Sequence, residues 1–109
     1  MVLSVSPGGY NNAVAVTGTA TGTSTSAALA SAVGIPIGLE LWGTWTGSVS
    51  LQRQTSAAGG FLPVTAGGTA WAVFTGNCSE QVWEETDDQA SFRLSFVIAS
   101  GTCNYRLAQ

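Results

Sequence analysis

From Ile35 to the end of the chain, apolar and polar residues alternate with a period of two, and no segment repeats at the three-and-four spacing of a helix. Leu39 and Leu41 alternate with Glu40 and Trp42. Past Gly43, Trp45 opens a second run in which Val49 and Leu51 alternate with Ser48, Ser50 and Gln52, a pattern that reads strand, bend, strand. Ala57-Ala58-Gly59-Gly60 supplies a turn, Phe61 to Val64 a short strand, Gly67-Gly68 another turn, and Thr69 to Phe74 a further strand. Turn signals at this rhythm predict an all-β fold for residues 35–109, a small antiparallel β-sandwich or barrel.

The last third of the chain specifies a register. With Ser100-Gly101 as a two-residue hairpin turn, Ile98 faces Cys103, Phe96 faces Tyr105 and Leu94 faces Leu107, all six apolar or aromatic. A slip of one residue would scatter them over both faces. With Asp87-Asp88 as the preceding turn, Trp83 faces Phe92 on the same side and Val82 faces Arg93 on the other. The expectation is a meander of 78–85, 90–99 and 102–108 with Trp83, Phe92, Leu94, Phe96, Ile98, Cys103, Tyr105 and Leu107 in the core.

Residues 1–34 form a different region. Thr17 to Ser26 is nearly all Thr, Ser, Gly and Ala, without charge, and has too little apolar bulk to fold by its own burial. Alternation in Ala13-Val14-Ala15-Val16 and around Ala27 to Val33 allows strand pairing. The region reads as an extended N-terminal arm that orders against its own domain or a neighbouring copy, with a flexible leader as the alternative.

Charge changes the picture more than length does. In 109 residues there is no His or Lys, Lys plus Arg total 3, Asp plus Glu total 6, and the net charge is −3. A charged fraction of 8%, against an ordinary value of about 25%, predicts a surface largely covered by other protein in a homo-oligomer, most simply a trimer. The three Arg stand apart, which argues against nucleic acid. No run of about 18 apolar residues predicts a membrane span, and the first 20 residues lack the charged and apolar regions of a secretory signal.

Candidate chemistry is sparse. Glu80, Glu84, Glu85, Asp87 and Asp88 lack the spacing of a Ca²⁺ loop; the meander places Glu80 and Glu84 beside Arg93 and Arg106 as an exposed charge ladder, each pair worth about 0.2–1 kcal/mol. Cys78 has the parity of Glu80 and points away from Cys103, so two free thiols are expected. The Ser and Thr residues have no His partner, so no nucleophilic catalysis, cofactor or metal site is expected. Of the four Trp, Trp45 and Trp83 are expected in the core. Trp42 and Trp71 have parity opposite to their apolar neighbours and, with Tyr10, Val14 and Val16 of the arm, are the candidate interface residues; a sugar-stacking platform is the alternative for the two Trp.

The segment Gly43-Thr44-Trp45-Thr46-Gly47-Ser48-Val49-Ser50-Leu51-Gln52-Arg53, the glycine turn before Phe61, and the ending from Phe92-Arg93-Leu94 through Ser100-Gly101-Thr102-Cys103-Asn104-Tyr105-Arg106-Leu107-Ala108-Gln109 resemble small β-sandwich proteins encoded in tailed-bacteriophage genomes. The resemblance spans about residues 40 to 109. It implies a virion structural protein without enzymatic activity, first a capsid decoration or cement protein: a trimer made in the host cytoplasm that sits on the outer surface of the head and bridges copies of the major capsid protein. A carbohydrate-binding or connecting module of a tail or head fibre is the alternative it implies.

Overall fold

Two long strands that pair with each other along almost their whole length carry the architecture. The computed structural model describes residues 15–55 and 59–109, and among them every regular element is a strand. These are β1 (Ala15–Ala20), β2 (Thr23–Thr25), β3 (Leu29–Ala30), β4 (Pro36–Gln54), β5 (Leu62–Pro63), β6 (Thr65–Ala66), β7 (Thr69–Ala70), β8 (Val73–Phe74), β9 (Cys78–Glu84) and β10 (Ser91–Ala108). β4 and β10 pair antiparallel from Gln54↔Ser91 to Gly38↔Ala108. The small β6–β7 pair forms a sheet of its own.

The β4–β10 ribbon keeps one apolar face from end to end. Leu39, Leu41, Val49 and Leu51 on β4 are buried, as are Phe92, Leu94, Phe96, Ile98, Cys103, Tyr105 and Leu107 on β10. A flat ribbon of this length would leave that face in water, so it folds over and closes the face on itself. The Phe96 and Tyr105 rings, from opposite halves of one strand, lie 4.8 Å apart with a 42° tilt. One layer therefore holds β1, the second half of β10, the first half of β4, and β9. The other holds β2, β3, the first half of β10, the second half of β4, β5 and β8.

The fold-over is built at one corner. Ile98 pairs with Gly47 and Ser100 with Thr46, leaving Ala99 as an extra residue, a β-bulge that sharpens the bend. Hydroxyls of Thr46 and Ser100 meet across it at 2.7 Å. Gly47 and Gly101 have φ of 132° and 79°; a Cβ at Gly47 would strike the Val97 carbonyl oxygen, and one at Gly101 the Thr44 carbonyl oxygen. Gly101→Ala should therefore cost about 2–4 kcal/mol, from left-handed strain and a main-chain clash. Gly22→Ala, where an added Cβ meets nothing within 4 Å, should stay within about 0.5 kcal/mol in the same denaturant titration.

The corner replaces the expected hairpin at Ser100-Gly101: 91–108 is one strand, and Phe96 faces Val49 and Tyr105 faces Leu41 in the ladder. The β10 residues of the expected core nevertheless lie where the alternation placed them. β9 is also displaced from the expected meander, pairing with β4 and not with β10. A second bulge, at Val82 between the pairs Ile37↔Trp83 and Gly38↔Gln81, buries Val82 and leaves Trp83 half-buried. Trp45, also expected inside, is likewise only half-buried at the edge of the core.

From Ala15 onward the N-terminal region runs along β10 of its own chain, β1 from Ala15↔Ala108 to Ala20↔Cys103. Ser26 supports the crossing by exchanging backbone and hydroxyl hydrogen bonds with Leu94, each 2.9 Å. Tyr10 and Val14 lie outside the described residues.

Candidate functional site

The best-built cluster of ionisable side chains is structural. Arg53 occupies a core-facing register position opposite Phe92 and turns its guanidinium onto Glu85, with Nε to Oε1 at 2.5 Å and Nη2 to Oε2 at 2.7 Å. The Trp83 indole N–H donates to Oε1, and the backbone N–H groups of Thr86 and Asp87 donate to Oε2, each at 3.0 Å. Glu85 is 2% exposed. The Arg53 hydrogen bonds, helped by these other donors, lower its pKa to about 2, and the same pairing raises that of Arg53. A carboxylate so fully satisfied ties the β9–β10 loop to β4 and has no oxygen left to move a proton.

The expected ladder of Glu80 and Glu84 with Arg93 and Arg106 does not form, because β9 lies on the far side of β4 from β10. Arg93 instead donates from Nε to Gln52 Oε1 at 2.7 Å and rests its guanidinium 4.3 Å from the centre of the Phe61 ring. Arg106 lies opposite Glu40 in the ladder, and among the described residues the one ion pair is Arg53–Glu85. Both cysteines are free. Cys103 is fully buried, and Cys78, opposite Leu41 in the ladder, turns toward the core instead of away from it. Burial pushes both thiols above their ordinary pKa, so neither is an activated nucleophile.

Two outer faces remain, one per layer. On the first, the residues between the buried ones form cross-strand rows: Thr17, Arg106, Glu40 and Ser79 in one, Thr19, Asn104 and Trp42 in the next. On the second, the rows are Thr25, Ser95, Ser50 and Val73, then Thr23, Val97 and Ser48. Neither of these two rows holds a charged residue, the next row on this face being Arg93, Gln52 and Pro63, and Val97 and Val73 are 54% and 49% exposed.

Comparison with family models, curated proteins and solved structures gave no match. Among the described residues no three His, Cys, Asp or Glu side chains gather as a metal site would need.

The expected interface residues are dispersed. Trp42 projects from the first face, 48% exposed. Trp71, 52% exposed, sits outside both rows, its indole N–H donating to the Val82 carbonyl at 3.4 Å beside a shallow cleft of about 150 Å³. Val16 faces Leu107 and is half-buried against the core of its own chain. The Arg53–Glu85 pair and the Ser-, Thr- and Val-lined rows of the second face were not singled out from sequence. For the face, a signal existed in the run Ser48-Val49-Ser50 set against Ser95-Phe96-Val97.

Proposed function

We propose that this chain is a capsid decoration protein of a tailed bacteriophage, a homotrimer seated on the assembled head through the Ser-, Thr- and Val-lined rows on the outer face of β2, β10, β4 and β8. That face is the observation that carries the reading. Seven positions spread over four strands present only Ser, Thr and Val, and half-exposed valines flanked by short hydroxyl side chains lose little hydration when another protein covers them. No side chain in those two rows must be neutralised, and Arg93 in the next row is already engaged by Gln52 and the Phe61 ring. A ligand that binds only the closed lattice stabilises that lattice by mass action, and weak contacts made to several capsid subunits together become tight.

Heads assembled with and without the protein test this. Decorated heads should release DNA at a higher temperature, free capsid subunits should bind the protein feebly, and Val97→Glu should fold normally yet fail to decorate. Equal release temperatures, or decoration undiminished by Val97→Glu, would remove the reading.

A further inference from the structure

Trp42 differs from an incidentally exposed aromatic in how firmly its backbone is held. The Asn104 side-chain amide donates to the Trp42 carbonyl at 3.2 Å, and the Asn77 amide donates to the next carbonyl, Gly43, at 3.0 Å. Asn77 is fixed in turn by accepting the Trp45 indole N–H at 2.8 Å. Two amide side chains thus clamp the main chain just ahead of the corner while the Trp42 ring stays in solvent. Beside it runs a groove of about 440 Å³ lined by Glu40, Trp42, Asn77 and Ser79; Glu40 and Ser79 also line a neighbouring hollow of about 230 Å³ that reaches Glu80, Gln81 and Arg106.

We infer that this groove binds a neutral hexopyranose stacked on Trp42. A pyranose has an apolar C–H face and a rim of hydroxyls; the platform has one rigid aromatic surface and a rim of hydrogen-bonding groups. Glu40 accepts from vicinal hydroxyls, and Ser79 and Arg106 donate. Glu40 and Arg106 face each other without closing into an ion pair, so both remain open to a ligand. Glu40 and Glu80 on one groove disfavour a sugar acid, which sets the ligand class as uncharged. A protein partner suits the site less well, because the cores of protein interfaces are poor in charge whereas Glu40 lies beside Trp42 and Glu80 and Arg106 lie further along the same face. The groove lies on the layer opposite the face assigned to the capsid, so one sandwich can be seated by one side and bind sugar by the other.

The test uses the free protein, without capsid, and so is independent of the decoration reading. Methyl β-galactoside, methyl β-glucoside and methyl β-N-acetylglucosaminide are titrated against tryptophan fluorescence and saturation-transfer NMR, with N-acetylneuraminic acid as the charged probe. At least one neutral glycoside should saturate with a Kd of about 1–10 mM, and Trp42→Ala should weaken it about tenfold or more. Trp71→Ala should leave it unchanged, and Trp42→Phe should retain part of it, showing that a stacking surface and not the local fold is at stake. No saturable binding of any neutral glycoside, tighter binding of the sugar acid, or binding that survives Trp42→Ala would overturn the inference.

Discussion

Phe96→Asp should abolish the cooperative unfolding transition. Phe96 is 1% exposed and meets Tyr105 where the two halves of β10 face each other across the core. Removing the ring costs about 3–5 kcal/mol, and an unpaired carboxylate in its place costs several more, against a total stability of about 5–15 kcal/mol for a domain. Val97→Asp is the matched control, since that neighbouring side chain points into solvent and the change should cost no more than about 1 kcal/mol, the span of strand propensity. Circular dichroism melts of the two variants decide the matter. A Phe96→Asp protein that melts near the parent temperature would mean that the ribbon does not close on this face.

Acid should weaken the protein through one identifiable group. The Glu85 carboxyl titrates at about 2 in the fold and at about 4.3 in an unfolded chain, so as pH falls the unfolded state takes up the proton first. Its contribution is complete above about pH 5 and disappears as the pH drops from about 5 to about 2, a loss of about 3 kcal/mol. Glu85→Gln removes that dependence and leaves Arg53 without its counter-charge, which should lower stability by about 2–4 kcal/mol at neutral pH. Urea titrations should then show a wide gap between parent and variant at about pH 7 that nearly closes at about pH 2.5. A gap of equal size at both pH values would contradict the assignment.

Much of the core was legible in the sequence, and the reason it was legible also explains the main error. Inward positions on β10 are even-numbered from Phe92 to Ile98 and odd-numbered from Cys103 to Leu107. A change of parity needs one irregularity between them, and a two-residue hairpin or a single-residue bulge both supply it. Alternation therefore identified the buried side chains without distinguishing reversal from corner. The steady odd parity of β4, from Leu39 through Leu51, is the complementary trace of a partner that never reverses. Val82 and Trp83 were interchanged for a related cause, since a bulge moves a residue between faces without any signature in its own identity. Glu85 was hidden in an acidic run, where only the approach of Arg53 from a distant strand separates it from its neighbours. The open faces were legible in part: the parity of Trp42 marked it as outward, but its two asparagine clamps come from elsewhere in the chain, Asn104 from β10 and Asn77 from the loop before β9.

The continuous β4–β10 ribbon has a kinetic consequence. Because each long strand belongs to both layers, neither layer can detach while the other persists, and amides on both sides of the sandwich should exchange with solvent through one global opening instead of graded local ones. Every pair in the ribbon joins the middle of the chain to its end, so the excursion from Thr55 to Ala90 must be closed before any of those pairs forms. Such a topology folds slowly, and a slow barrier of this kind is crossed slowly in the unfolding direction too when stability is high. A unit built this way does not peel apart piece by piece; it stays whole until it opens all at once.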